Sequence, residues 1–403
     1  MHCVTNIHED LYWLGGSDRQ LAKFENVFPI PRGVSYNAYL VLDEKTVLLD
    51  TVDKAVGERF FENLEFALAG RPLDYVVVNH MEPDHCATLG ELLRRWPGAQ
   101  VVANAKTVPM VSQFFDCDIS NRAVVVKEGD PLCPGRHTFT FLMAPMVHWP
   151  ETMVTYDNAD KTLFSADAFG TFGALNGNIF ADQVDFERDW LDDARRYYTN
   201  IVGKYGTPVQ NVLKKAAGLD IQYLCPLHGP IWRENIGWFL EKYKRWSTYT
   251  PEAWTAAIFC GSIYGHTENA CEILASRLAE KGVRHVRIFD VSHTDVSEQV
   301  SAAFQCSHLV FASATYNGGI YTPMETLLLE LKAHALQNRT VALIENGSWG
   351  PAAARLMAKH LEEMKGMEQI APPITIRSAV KEEQYRKLED LADLIAADIA
   401  AEE

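Results

Sequence analysis

The sequence predicts two α/β domains in series, the first made of sheets covered by helices and the second a doubly wound parallel sheet. Three observations carry this. The length, 403 residues, exceeds what a single hydrophobic core usually serves. Strand-like segments dominate the first half and helical ones close it, whereas the second half alternates strand and helix. Between them Trp246-Ser247-Thr248-Tyr249-Thr250-Pro251 breaks the helical pattern, so the domains are taken as 1–250 and 251–403.

In chain order, 35–42 and 46–51 read as two strands joined by a turn at Asp43-Glu44-Lys45. A helix over 57–69 leads to a buried strand at 75–78, and further strands are expected at 99–104, 138–144, 152–157 and 162–165. Helices over 186–203, 207–217 and 235–245 finish the first domain. Beyond the boundary, strands at 255–260, 285–290, 307–313, 340–345 and 374–376 alternate with helices at 267–281, 324–334, 351–363 and 381–400. That rhythm calls for a parallel sheet with helices on both faces.

Composition narrows the function. Hydrophobic residues at 47% and charged residues at 22% are ordinary for a globular chain and exclude a disordered or fibrous one. The formal charge is −16, and with 13 basic against 21 acidic residues from Pro251 onward, both halves share the acidity. Such a surface repels phosphate backbones and anionic lipid, so neither nucleic acid nor membrane is expected as a partner. The stretch Met1–Asp10 has no secretion signal and no apolar run approaches a membrane span, which predicts a cytoplasmic protein. Eight cysteines without a C-x-x-C pair encode no zinc ribbon, disulfide framework or rubredoxin-type iron site.

The densest chemistry is His80-Met81-Glu82-Pro83-Asp84-His85, four potential ligands within six residues directly after an apolar strand. Two carboxylates so close repel each other unless a cation sits between them. His148 and Asp167 each follow a predicted strand, His228 follows the apolar Tyr223-Leu224-Cys225-Pro226, and residues at strand ends can converge. Singly each is an ordinary cap or core residue; together they describe a metal site.

In the second domain, Ser262-Ile263-Tyr264-Gly265-His266-Thr267 links a strand to a helix start and offers hydroxyls and backbone N–H groups to an anion. It lacks the Lys of a Walker loop and is not G-x-G-x-x-G. Two more loops follow strands: Ser313-Ala314-Thr315-Tyr316-Asn317-Gly318-Gly319, and Asn346-Gly347-Ser348-Trp349-Gly350. Ligands of open α/β sheets bind at these strand ends, and Tyr316 and Trp349 could stack on a flat ring.

His-x-Glu-x-Asp-His followed by His148, Asp167 and His228, with 62, 18 and 60 residues between successive members from His85 onward, resembles the ligand pattern of the flavodiiron (A-type flavoprotein) family. Hydrolytic zinc relatives usually carry His where this chain has Glu82, and a carboxylate there makes the site harder and more anionic, which suits iron. The resemblance spans nearly the whole chain and implies a metallo-β-lactamase-like αββα domain followed by a flavodoxin-like domain. It implies His80, Glu82 and His148 on one iron, Asp84, His85 and His228 on the other, with Asp167 bridging, and FMN on the three later loops. The implied activity is that of an oxidoreductase reducing dioxygen to water, nitric oxide to nitrous oxide, or both. Electrons would come from a rubredoxin-like or other small donor, and the implied assembly is a head-to-tail homodimer. Tyr36, Phe172 and Trp149 are expected to shield the metal pocket. One departure stands out: many members carry His where this chain has Glu25, near that pocket. The rival reading, a zinc hydrolase with an inert flavodoxin-like appendage, has Glu82 and the three loops against it.

Overall fold

A computed structural model describes residues 1–402 and divides the chain into two compact units. The first comprises Met1–Tyr198 and Thr207–Lys244; the second comprises Thr199–Gly206 and the chain from Arg245 onward. The short excursion explains a correction. The expected continuous helix over 186–203 is instead Phe186–Asp189 and Leu191–Tyr197, followed by a π-turn at Tyr198–Val202 and a 3₁₀ turn at Gly203–Tyr205. The helix breaks where Trp190 leaves helical geometry, and the Tyr249 hydroxyl donates to Gly203 O at 2.9 Å within the second unit.

The first unit holds two sheets. One has seven strands, antiparallel through Thr5–His8, Leu11–Trp13, Tyr39–Leu42 and Thr46–Leu49, then parallel through Tyr75–Val77, Gln100–Asn104 and Ala123–Val126. The other orders Pro131–Leu132, Phe139–Met143, Met153–Asp157, Thr162–Phe164 and Tyr223–Cys225. Tyr39 of the first sheet meets Phe164 of the second with ring centroids 5.4 Å apart, which marks the core between them. The expected strand over 35–42 is interrupted: Val34–Tyr36 pairs with Gly16–Asp18 in a separate ribbon, and the chain re-enters the main sheet at Tyr39. The buried Asn37 at the break donates to Pro226 O and Gly229 O, both at 2.9 Å, so its polar bonds go elsewhere than the ladder.

Register decides where the chemistry gathers. Phe139–Met143 is antiparallel to Met153–Asp157, which is antiparallel to Thr162–Phe164, which in turn is parallel to Tyr223–Cys225. Three strands therefore run the same way, and the loops after them, carrying His148, Asp167 and His228, emerge at one edge.

The second unit is a parallel sheet ordered Arg287–Asp290, Ala253–Gly261, Cys306–Tyr316, Arg339–Asn346 and Met367–Gln369, with Ile374–Ile376 also pairing Arg339–Asn346. In order of appearance this is 2-1-3-4-5, whose ligand site lies where the order reverses, beside the ends of Ala253–Gly261 and Cys306–Tyr316. The αββα unit followed by a doubly wound sheet is the expected fold class. An unexpected helix, Val296–Gln305, is capped by Asp295, whose Oδ1 accepts from Ser297 N at 3.0 Å. No described helix is long and apolar enough to cross a membrane.

Candidate metal centre

All seven predicted ligands come together at that edge. His80 Nε2 lies 3.2 Å from Glu82 Oε2 and 3.1 Å from Asp167 Oδ2, and His148 Nε2 lies 2.9 and 3.2 Å from the same two oxygens. On the other side, Asp84 Oδ2 is 3.3 Å from Nε2 of both His85 and His228. Asp167 Oδ1 faces these two rings at 2.9 and 3.5 Å. The structure thus holds two clusters, His80–Glu82–His148 and Asp84–His85–His228, with one oxygen of Asp167 turned toward each.

Local structure fixes these positions. Pro83–Cys86 is a single helical turn with Pro at its start, not an open loop, and it swings Asp84 and His85 away from Glu82. The fully buried carboxylate of Asp50 receives Asn79 N and Asn79 Nδ2, each at 2.7 Å, and so pins the backbone entering His80. Asp50, Met146 and Ala166, which flank the ligand loops, all have left-handed φ of 57°, 66° and 52°, a conformation costing non-glycine residues about 1 kcal/mol or more each.

The hydrogen-bond directions fit a pair of cations. His80 Nδ1 lies 2.8 Å from Glu151 Oε1, an acceptor only, so Nδ1 carries a hydrogen and Nε2 is the ring atom turned toward Glu82 and Asp167. His228 Nδ1 donates to Ser35 O at 2.7 Å, and its Nε2 lies 3.0 Å from His85 Nε2. Both oxygens of Asp84, Asp167 Oδ1 and His85 Nδ1 have no hydrogen-bond partner among the described residues. Asp167 Oδ1 is at ion-pair distance from His85 Nε2 without hydrogen-bond alignment, the arrangement of two donors aimed at a common third atom. Four imidazoles and three carboxylates form a harder donor set than zinc sites of thiolate and imidazole.

Proton affinities report the same crowding. Burial opposes charge on His80, yet Asp167, Glu151 and Glu82 outweigh it and push the ring well above its ordinary range. His148 is likewise raised to about 9, against burial, by Asp167 and Glu82. Burial favours a neutral Asp167, but His85 and His80 hold it well below the usual carboxylate range.

A cavity of about 520 Å³ opens above Glu82 and Asp84, lined also by Phe24, Glu25, Tyr36 and Asp53, and is of ligand-pocket size. Glu25 faces Glu82, and burial together with that neighbouring charge raises it to about 7. Of the expected shielding rings, Tyr36 lies 5.7 Å from His228 and Trp149 lies 5.4 Å from His80. Phe172 packs one layer back, on Phe24 and Tyr197 at 5.4 and 5.2 Å, and these two rings face His228 at 5.3 and 5.4 Å. Phe24, Tyr197 and the carboxylate behind His80 escape sequence reading; only the closeness of Glu151 to His148 in the chain could have pointed to one of them.

In the second unit, the three predicted loops enclose a cavity of about 610 Å³, also of ligand size. All the predicted residues line it except Gly265, Ser313, Tyr316 and Gly319, and Ser378 joins them. Gly265, at φ +86°, starts the helix His266–Glu280, and its N–H donates to Ser262 Oγ at 3.1 Å. Ser313 is buried, and its Oγ accepts from Tyr321 N at 3.3 Å. Tyr316 turns toward Tyr321, 6.1 Å away. Trp349 and Tyr264 leave 85% and 89% of their surface exposed beside the cavity, ready to cover a flat ring. Thr315 Oγ1 is engaged by Ala352 N at 3.0 Å and Asn346 by Ser378, so these two side chains shape the loops. Backbone N–H groups and a helix start, the chemistry of an anion site, are what this loop presents to the cavity.

The first unit contains another His–Asp cluster. His137 Nδ1 lies 2.7 Å from Asp157 Oδ2 and its Nε2 lies 3.1 Å from Asp10 Oδ2. Arg136 binds both oxygens of Asp160 at 2.7 Å and reaches Asp10 at 3.0 Å. Its cation is built in.

Residues 34–229, which include every ligand residue, match the ODP family beta lactamase. A protein named nitric oxide reductase from Moorella thermoacetica is 30% identical over 398 residues, 98% of each chain. The solved rubredoxin oxygen:oxidoreductase of Desulfovibrio gigas superposes with a TM-score of 0.91 at 27% identity over 99% of each chain. A variant of the flavo di-iron protein of Thermotoga maritima gives 0.89 at 27% identity over 98% of each.

Proposed function

The chain belongs to the flavodiiron family, and on that premise we propose the following reading of its chemistry. It is an oxidoreductase that reduces dioxygen to water, nitric oxide to nitrous oxide, or both, with electrons relayed through FMN. The observation that carries this is Asp167, whose two oxygens face two different histidine clusters.

His80, Glu82 and His148 would hold one iron, Asp84, His85 and His228 the other, and Asp167 would bridge them. Bound iron supplies one-electron ferrous–ferric chemistry that side chains lack. Asp167 sets the spacing, and Glu151 and Ser35 O fix ring orientation from behind. Phe24, Tyr36, Trp149 and Tyr197 exclude water around the ligands, while the cavity over Glu82 and Asp84 admits a small molecule. FMN would occupy the second-unit cavity, its phosphate at the 262–267 loop and its ring near Trp349. We assign residues 1–250 to the diiron domain and 251–403 to the flavin domain. A rubredoxin-like or similar small donor and a head-to-tail homodimer complete the proposal, on the strength of the family resemblance. A cytoplasmic location accords with eight free cysteines.

Metal and flavin analysis of the purified chain tests the reading. Two irons and one FMN per chain are expected; zinc without flavin would favour the hydrolase. Light scattering tests the dimer, and a fully active monomer would refute it.

A further inference from the structure

The two metal positions differ in what stands behind their histidines. At the position of His80, Glu82 and His148, the Nδ1 of His80 donates to Glu151 Oε1 at 2.8 Å. Glu151 is 1% exposed, and the same oxygen accepts from Met81 N at 2.9 Å, so it is locked against the ring. Asn104 Nδ2 holds the Glu151 backbone through its carbonyl at 2.5 Å. At the other position, His228 is backed by a neutral carbonyl, Ser35 O, and His85 Nδ1 has no partner among the described residues. Each position has one carboxylate of its own, Glu82 or Asp84, and shares Asp167. Asp50 is also buried near His85, but its oxygens accept from Asn79 and the His80 N–H, so among the described residues Glu151 is the one carboxylate held against the Nδ1 of a ligand ring, buried where charges are weakly screened.

We propose that Glu151 is a positioning residue that acts through His80, fixing the ring with Nε2 toward the metal and making the position of His80, Glu82 and His148 the first of the two to be oxidised. This rests on the diiron reading above. A carboxylate behind a ligating imidazole makes the ring a stronger donor and stabilises the more positive ion. The step is the loss of one electron from ferrous to ferric at that position, the electron passing to the oxidant. No bond to Glu151 forms or breaks, and the Nδ1 hydrogen stays on His80.

The test uses the full chain loaded with iron anaerobically, titrated with ferricyanide and followed by electron paramagnetic resonance of the mixed-valent pair. Wild type should show two separated one-electron steps. Glu151→Gln keeps a hydrogen-bond acceptor but removes the charge. It should retain two irons, move the first step to higher potential, leave the second in place and so lower the peak mixed-valent yield. Glu151→Asp should fall between the two, and is the variant to read if Glu151→Gln folds poorly. In chelator competition Glu151→Ala should release one of its two irons about 10–100-fold more readily, the other unchanged. Two irons with both steps unmoved, or both moved equally, would overturn the inference while leaving the diiron reading intact. A wild-type chain that takes up no iron would overturn both.

Discussion

The first unit carries a histidine–carboxylate cluster at each end of the hairpin Phe139–Met143 and Met153–Asp157, and the two have opposite fates. At the end holding Asp157, Asp10 and Asp160 close on Arg136 while His137 joins Asp157 to Asp10, and none of the cluster's buried polar atoms lacks a partner among the described residues. At the end holding His148, Glu82, Asp84, Glu151 and Asp167 meet four histidines without one Arg or Lys among them. Imidazole Nε2 atoms converge there, and both oxygens of Asp84 have no hydrogen-bond partner among the described residues. Residue types alone do not separate these clusters. The guanidinium does: a cluster with its own cation is a finished ion-pair network, and one without is a place for metal.

The comparison breaks most sharply at its anionic hub. Asp167→Ala should lose nearly all iron, because both positions lose a donor and their common spacer, whereas Glu82→Ala should lose roughly half, since it strips one position of one ligand. Asp160→Asn, at the other cluster, should leave two irons in place. Iron stoichiometry by elemental analysis reads all three. If Asp167→Ala kept two irons while Glu82→Ala lost both, the bridging role would belong elsewhere.

Removing the built-in cation tests the other side. Arg136→Ala leaves Asp10 and Asp160 facing each other, with His137 as their remaining cation. Because Arg136 is nearly half exposed, the loss should be about 1–2 kcal/mol, between that of a surface and a buried pair. That corresponds to roughly 2–8 °C in Tm with iron content unchanged. A variant that lost iron would contradict the separation of the clusters.

Acidity distinguishes them again. Burial lowers the proton affinity of His137, but Asp157 and Asp10 outweigh it and raise the ring from 6.5 to about 9. A raised histidine stabilises the fold fully below its unfolded value, and the contribution is lost as pH rises through the folded one. The Tm of the iron-loaded protein should therefore fall between about pH 6.5 and 9 through this residue, and His137→Gln should flatten that decline. An unchanged slope in the variant would remove His137 from the account. The smallest effect lies outside both clusters: Trp349→Ala should weaken FMN retention several-fold, for about 1 kcal/mol of stacking, with iron unaltered.

This contrast also explains what could be read from the sequence. His80 to His85 crowd four ligands into six residues, and His148, Asp167 and His228 each follow an apolar strand, so local patterns betray them. Glu151 has no such signature; its role comes from a loop folding 71 positions back onto His80. Arg136 reads as a surface residue until Asp10, far away in the chain, comes beside it. The central strands of the second unit, Ala253–Gly261, Cys306–Tyr316 and Arg339–Asn346, were legible because buried parallel strands are continuous apolar runs, whereas the short, half-exposed Met367–Gln369 was not. Leu11–Trp13 and Gly16–Asp18 were not, being three residues each with no alternation to detect. Helix Thr107–Phe114 was hidden by Pro109, which its first turn tolerates.

The central claim is that the arginine-free cluster, and not its arginine-filled counterpart, binds two irons. Anaerobic titration of the metal-free chain with ferrous iron, alongside Asp167→Ala and Asp160→Asn, tests it most directly. Saturation at two irons in wild type and Asp160→Asn, with almost none in Asp167→Ala, is the predicted result. Uptake that fell in Asp160→Asn and persisted in Asp167→Ala would contradict it.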